Sequence, residues 1–124
     1  MLRSGVSSLR AFVPARDLAQ SQQFYRELGF ALDWESQDAC GMSIDGCSFI
    51  LQKFYVKEHA NNFMMALHVE DVDAWWEHIQ ALRLPDRYTL AVLKAPQLQP
   101  WGLRVLFLSD PTGVLWHIAE QPRT

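Results

Sequence analysis

The sequence predicts an α+β fold in which two βαβββ modules form an open, cleft-containing mixed sheet with helices on its outer face. Two observations carry this. A strand, a capped helix and three further strands can be read twice along the 124 residues. The helix caps of the two copies, Asp17 and Asp71, stand 54 residues apart, and at that offset Leu18 falls on Val72, Ser21 on Trp75 and Leu28 on Leu82. A repeat this long with only two copies is a duplicated module, not a solenoid of short units. An apolar share of 49% over this length supports one core, so residues 1–124 read as a single domain, with modules at about 6–56 and about 62–121.

From Ser7 to Pro14, Leu9, Ala11 and Val13 alternate with Ser8, Arg10 and Phe12, the two-residue period of a strand. Asp17 can cap a helix, Gln20 stands at the reciprocal capping position, and Leu18, Ser21, Phe24, Tyr25 and Leu28 share one helical face up to the stop at Gly29. Strands are expected at Ala31–Trp34, Cys40–Ile44 and Cys47–Tyr55, the last two joined by Asp45-Gly46, which supplies the positive φ angles of a two-residue hairpin. Residues 57–62 read as an exposed linker. The second copy begins with a strand at Phe63–Val69, followed by a helix from Asp71 whose stripe is Val72, Trp75, Trp76, Ile79 and Leu82, ending near Leu84-Pro85. Its strands are expected at Leu90–Lys94, Leu103–Leu108 and Val114–Glu120, with a loop at 95–102 and an Asp110–Gly113 turn.

Composition narrows the function. The net charge is −3 with both signs mixed along the chain, so there is no basic stripe for nucleic acid and no polybasic membrane patch. No apolar run approaches the roughly 18 residues of a membrane span, and residues 1–5 lack the apolar stretch of a signal peptide; a cytoplasmic location is expected. Cys40 and Cys47 could be neighbours across a hairpin, but in such a compartment both are expected to be reduced.

The segments Pro14-Ala15-Arg16-Asp17-Leu18, Phe24-Tyr25, Leu28-Gly29-Phe30, Pro100-Trp101-Gly102, Asp110-Pro111-Thr112-Gly113 and Trp116-His117-Ile118-Ala119-Glu120 follow one another in specific order and spacing. In this the chain resembles the vicinal oxygen chelate group, which includes glyoxalase I, extradiol dioxygenases and bleomycin-resistance proteins, and it is most similar to the last branch. The resemblance spans essentially the whole chain. It implies a homodimer, domain-swapped or not, that sequesters a small molecule, an antibiotic among the candidates, in grooves between subunits. The enzymes of the group hold a divalent metal with one side chain from the first and one from the last strand of each module. The matching positions here are Arg10, Leu51, Met64 and His117, of which only His117 is a competent ligand. No cofactor or metal is therefore expected, and binding without reaction is the leading expectation. The alternative is a metal-dependent lyase, isomerase or dioxygenase of the same superfamily.

The alternation of Met64, Ala66 and His68, and of Leu115, His117 and Ala119, sets both histidines on the expected cleft face with Arg10, either as hydrogen-bonding groups for a ligand or as partners of local backbone. Trp101, an indole on a loop beside the cleft, is the strongest candidate for stacking on a flat ligand. Phe49, Leu51 and Lys53 share a parity and are expected to line the same groove, with Met64, Leu51 and Phe49 as its apolar floor. Trp75, Trp76 and Trp116 fit packing positions, one of the first two at a subunit interface. Bleomycin-type drugs are cationic, whereas Arg10 and Lys53 would bring positive charge, and Ala66 and Ala39 stand where the resistance proteins carry aromatics. The expected ligand is aromatic or planar and neutral or anionic.

Overall fold

The computed structural model describes residues 1–122. The elements run β1 (Phe12–Pro14), α1 (Leu18–Leu28), β2 (Ala31–Glu35), β3 (Ala39–Ile44), β4 (Cys47–Gln52), α2 (Lys57–Asn61), β5 (Met64–Val69), α3 (Val72–Leu82), β6 (Leu93–Leu98), β7 (Arg104–Ser109) and β8 (Leu115–Glu120). A short 3₁₀ turn, Leu84–Asp86, follows α3. The strands form two four-stranded mixed sheets, β1-β4-β3-β2 and β5-β8-β7-β6, so the second half repeats the topology of the first. In each, the first strand of the module lies parallel to its last and the other pairs are antiparallel.

The helix starts are as the caps dictate: Asp17 Oδ1 accepts from the Gln20 amide and Asp71 Oδ1 from the Ala74 amide, both at 3.1 Å. Gly29 closes α1 with φ 131°, where a side chain would be strained. Four segments differ from the sequence reading, the simplest being β4, which ends at Gln52 and not at Tyr55. The first strand begins at Phe12, not Ser7; Leu2, Val6 and Leu9 are exposed, and no burial holds that stretch in the ladder. Residues 57–61 form α2, anchored by the buried Ala60. The strand expected at Leu90–Lys94 starts at Leu93 and continues to Leu98 through Pro96, tolerated because β6 is an edge strand bulged between Lys94 and Gln97.

One core serves both modules. Tyr25 of α1, Phe30, Phe49 of β4 and Trp116 of β8 are all in mutual ring contact, with centroids from 5.0 Å for Tyr25–Phe49 to 5.7 Å for Phe30–Trp116. Under these rings runs a buried polar chain: Trp116 Nε1 donates to the Tyr25 hydroxyl at 2.8 Å, and the hydroxyl donates to Asp110 Oδ2 at 2.6 Å. Asp110 Oδ1 accepts the amides of Thr112, Gly113 and Val114, each at 2.9 Å. Burial pushes the Asp110 carboxyl above its usual range, although the hydroxyl and three amides oppose this. Cys40 pairs with Leu51 and Cys47 with Ile44, so the two thiols sit at opposite ends of the β3–β4 hairpin and not across it from each other.

Candidate functional site

Both helix-covered sheet faces contribute to the same core, which leaves one uncovered face on each sheet. On the first sheet, the register lines up two rows across the strands. One is apolar, Trp34–Gly41–Ile50–Phe12, with the Trp34 indole lying over Gly41, where any Cβ would collide with it. The other is polar: Ser43 Oγ donates to Asp33 Oδ1 at 2.9 Å, Ser43 pairs with Ser48, and Arg10 Nε donates to Ser48 Oγ at 2.9 Å. On the second sheet one row reads Lys94–Phe107–His117–Ala66, flanked by Met64 and Leu115 on one side and by His68 and Ala119 on the other. The His117 ring packs edge-on against Phe107 at 4.8 Å.

The residues singled out from sequence therefore divide. Met64, His68 and His117 share a face, as their alternation requires. Arg10 is on an uncovered face too, but of the other sheet, so Arg10 and His117 of one chain do not converge on one cavity. Phe49 and Leu51, expected on the groove floor, are 2% and 0% exposed and lie on the covered face beneath α1. Ile50 takes the uncovered position beside them, with Phe12 as its partner. The larger apolar pair, Phe49 and Leu51, was the signal for the buried parity, since burial selects the side of the strand with more area to remove from water. Lys53 follows β4 and lines a recess with Arg16, Asp17 and Gln37, away from both rows. His68 also borders a groove of about 490 Å³ with Asp45, Cys47, Glu70 and Trp75. Trp101 stands 58% exposed in the hairpin between β6 and β7, whose tip is closed by the Gln99 amide on the Leu103 carbonyl at 2.9 Å. Trp75 and Trp76 are partly buried against the core.

Sequence reading missed Trp34, Ile50, Phe12, Phe107 and Lys94 as uncovered-face residues. Their strand parity held the signal once the hairpin register was known. The metal of the superfamily's enzymes does not fit this lining. Arg10 has no lone pair to offer, Leu51 is buried away from the face, Met64 supplies only a soft thioether, and His117 is backed by Phe107 and Ala66. Among the described residues no three His, Cys, Asp or Glu side chains come together. No helix among them is long and apolar enough to cross a membrane.

Two matched four-stranded sheets, each with one helix-covered and one uncovered face, define a duplicated βαβββ protein. The chain belongs to the Glyoxalase/Bleomycin resistance protein/Dioxygenase superfamily, whose family model matches residues 8–118. Among characterised relatives it is 25% identical over 112 residues to a bleomycin resistance protein of Klebsiella pneumoniae, a match covering 87% of each chain. A bleomycin-binding protein solved in complex with bleomycin superposes with a TM-score of 0.79 at 19% identity, covering 94% of this chain and all of the other. The bleomycin resistance determinant encoded on transposon Tn5 superposes with a TM-score of 0.80 at 20% identity, with the same coverage.

Proposed function

We propose that this protein is a homodimeric, metal-free binding protein that sequesters a small molecule in grooves built where the uncovered face of one subunit meets that of another. The observation that carries this is the chemistry of those faces. Phe12, Trp34 and Met64 are 54%, 42% and 62% exposed, whereas the covered faces are sealed, and exposed apolar strips of this kind mark sites that something else covers. Pairing opposite faces brings Arg10 of one chain towards His117 of the other, which a single chain does not do. The similarity to proteins that bind bleomycin supports ligand sequestration.

In this reading Trp101 stacks on a planar ligand, Arg10 and His117 donate hydrogen bonds, and His68 contributes at the rim. Met64, Ile50 and Phe12 form the apolar floor in place of Phe49 and Leu51. Arg10 and Lys94 give the faces positive charge, which favours a neutral or anionic planar ligand over a strongly cationic drug.

Sedimentation analysis together with a thermal-shift screen of planar antibiotics, bleomycin included, tests it. The expected result is a dimer stabilised by one ligand class, by about 2.7 kcal/mol at 100 times Kd. A monomer without ligand response, or stoichiometric zinc, nickel, iron or manganese retained through dialysis, overturns it. The second outcome would favour the lyase, isomerase or dioxygenase chemistry of the superfamily.

A further inference from the structure

Where the end of the first module meets the last turn of the second, Arg16, Tyr55, Lys57, Asn61 and Thr89 surround a recess of about 240 Å³ closed by the Asp110–Gly113 turn. The Arg16 guanidinium is held in place from two sides. Its carbon lies 5.6 Å from the Tyr55 ring centre, and Nη2 donates to the Pro111 carbonyl at 3.4 Å. Its main-chain amide is fixed as well, donating to Thr112 Oγ1 at 3.1 Å. The wall opposite is tight, since a Cβ on Gly113 would sit 3.1 Å from Asn61 Oδ1.

The charge of this recess is unbalanced. Like most cations of the chain, Arg16 and Lys57 have no carboxylate within 4.0 Å among the described residues, but here two of them share one recess, in a chain whose net charge is −3. The carboxylate in the wall, Asp110, is 1% exposed and has both oxygens committed to Tyr25 and the turn amides. Asp17, in the adjoining recess beside Lys53, has Oδ1 committed to the cap of α1. The remaining lining groups, the Asn61 amide and the Tyr55 and Thr89 hydroxyls, can all donate. A guanidinium and an ammonium with neutral donors around them recognise an oxyanion. The volume falls below the roughly 300 Å³ at which drug-sized ligands begin, and is ample for a phosphate or a phosphomonoester head.

We propose that this seam is a second site, separate from the groove between subunits, that takes a small oxyanion of the phosphate class. Arg16 and Tyr55 belong to the first module and Thr89 and Thr112 to the second, so a bound anion ties the two together and stabilises the fold.

Melting the full chain with inorganic phosphate tests this. At a Kd of about 1 mM, about 10 mM phosphate raises Tm by roughly 5–6 °C. Sodium chloride at equal ionic strength and sodium acetate should give less, Arg16→Gln/Lys57→Gln should abolish the rise, and Trp101→Ala should keep it. An equal rise with chloride or acetate, or an undiminished rise in the double variant, overturns the proposal. Should the double variant fail to fold, amide NMR of the native chain decides. Saturable phosphate shifts at Asn61 and Gly113 support the site, and their absence overturns it.

Discussion

Tyr25 is the residue on which the polar interior depends, since its hydroxyl satisfies Trp116 Nε1 and Asp110 Oδ2 at once. Tyr25→Phe strands both groups out of reach of water and should cost about 2–3 kcal/mol of stability in urea unfolding. Burial, and next the charge of Asp110, hold the Tyr25 hydroxyl well above its ordinary value of 10.0. The fold therefore keeps a proton that the unfolded chain releases. This contribution is complete below pH 10 and is lost as pH rises towards the folded value, so the native chain should lose stability above pH 10 more steeply than Tyr25→Phe. Trp101 makes the contrasting case: Trp101→Ala should leave the urea midpoint unchanged and weaken ligand binding by about 1–3 kcal/mol in calorimetry. The exposed loop position of Trp101 was readable from sequence, because a tryptophan between Pro100 and Gly102 has no periodic face to join. Ile50 was not, because its role is defined only by neighbours that the chain reaches 38 residues earlier, at Phe12.

Helices were the most legible elements, because a cap and a stripe are local signals. Asp17 and Asp71 start α1 and α3 where the sequence says, and Asp71→Ala should destabilise by about 1 kcal/mol, measurable as a lower chemical midpoint with an unchanged slope. The Asp45-Gly46 hairpin is likewise local, with Asp45 at φ 47° and Gly46 at φ 82°. What was misread depends on neighbours. Residues 95–98 look like loop through Pro96, yet β7 supplies the partner that makes them strand. Residues 57–61 look like a linker until the buried Ala60 gives them a reason to coil. The segment before Phe12 alternates like a strand, but nothing among the described residues covers it.

That last segment bears on assembly. A chain with exposed apolar residues on both uncovered faces and an arm exposing Leu2, Val6 and Leu9 has unmet burial distributed over separate surfaces, which the symmetric partner proposed above would satisfy at once. If the proposed dimer is built in part by this arm, removing residues 1–9 should shift the protein towards monomer in sedimentation while leaving the far-ultraviolet circular dichroism nearly unchanged, since the arm contributes no helix and no strand. The interior has the opposite character, because Phe49 rests on Trp116, and Tyr25 reaches across to Asp110. A half-chain cut within residues 57–61 should therefore fail to close a core by itself. Two such fragments expressed together should recombine into one folded particle, and each alone should stay open or seek a second copy of itself. The segment that joins the two copies then makes intramolecular a contact that two half-length chains would have to form between separate molecules.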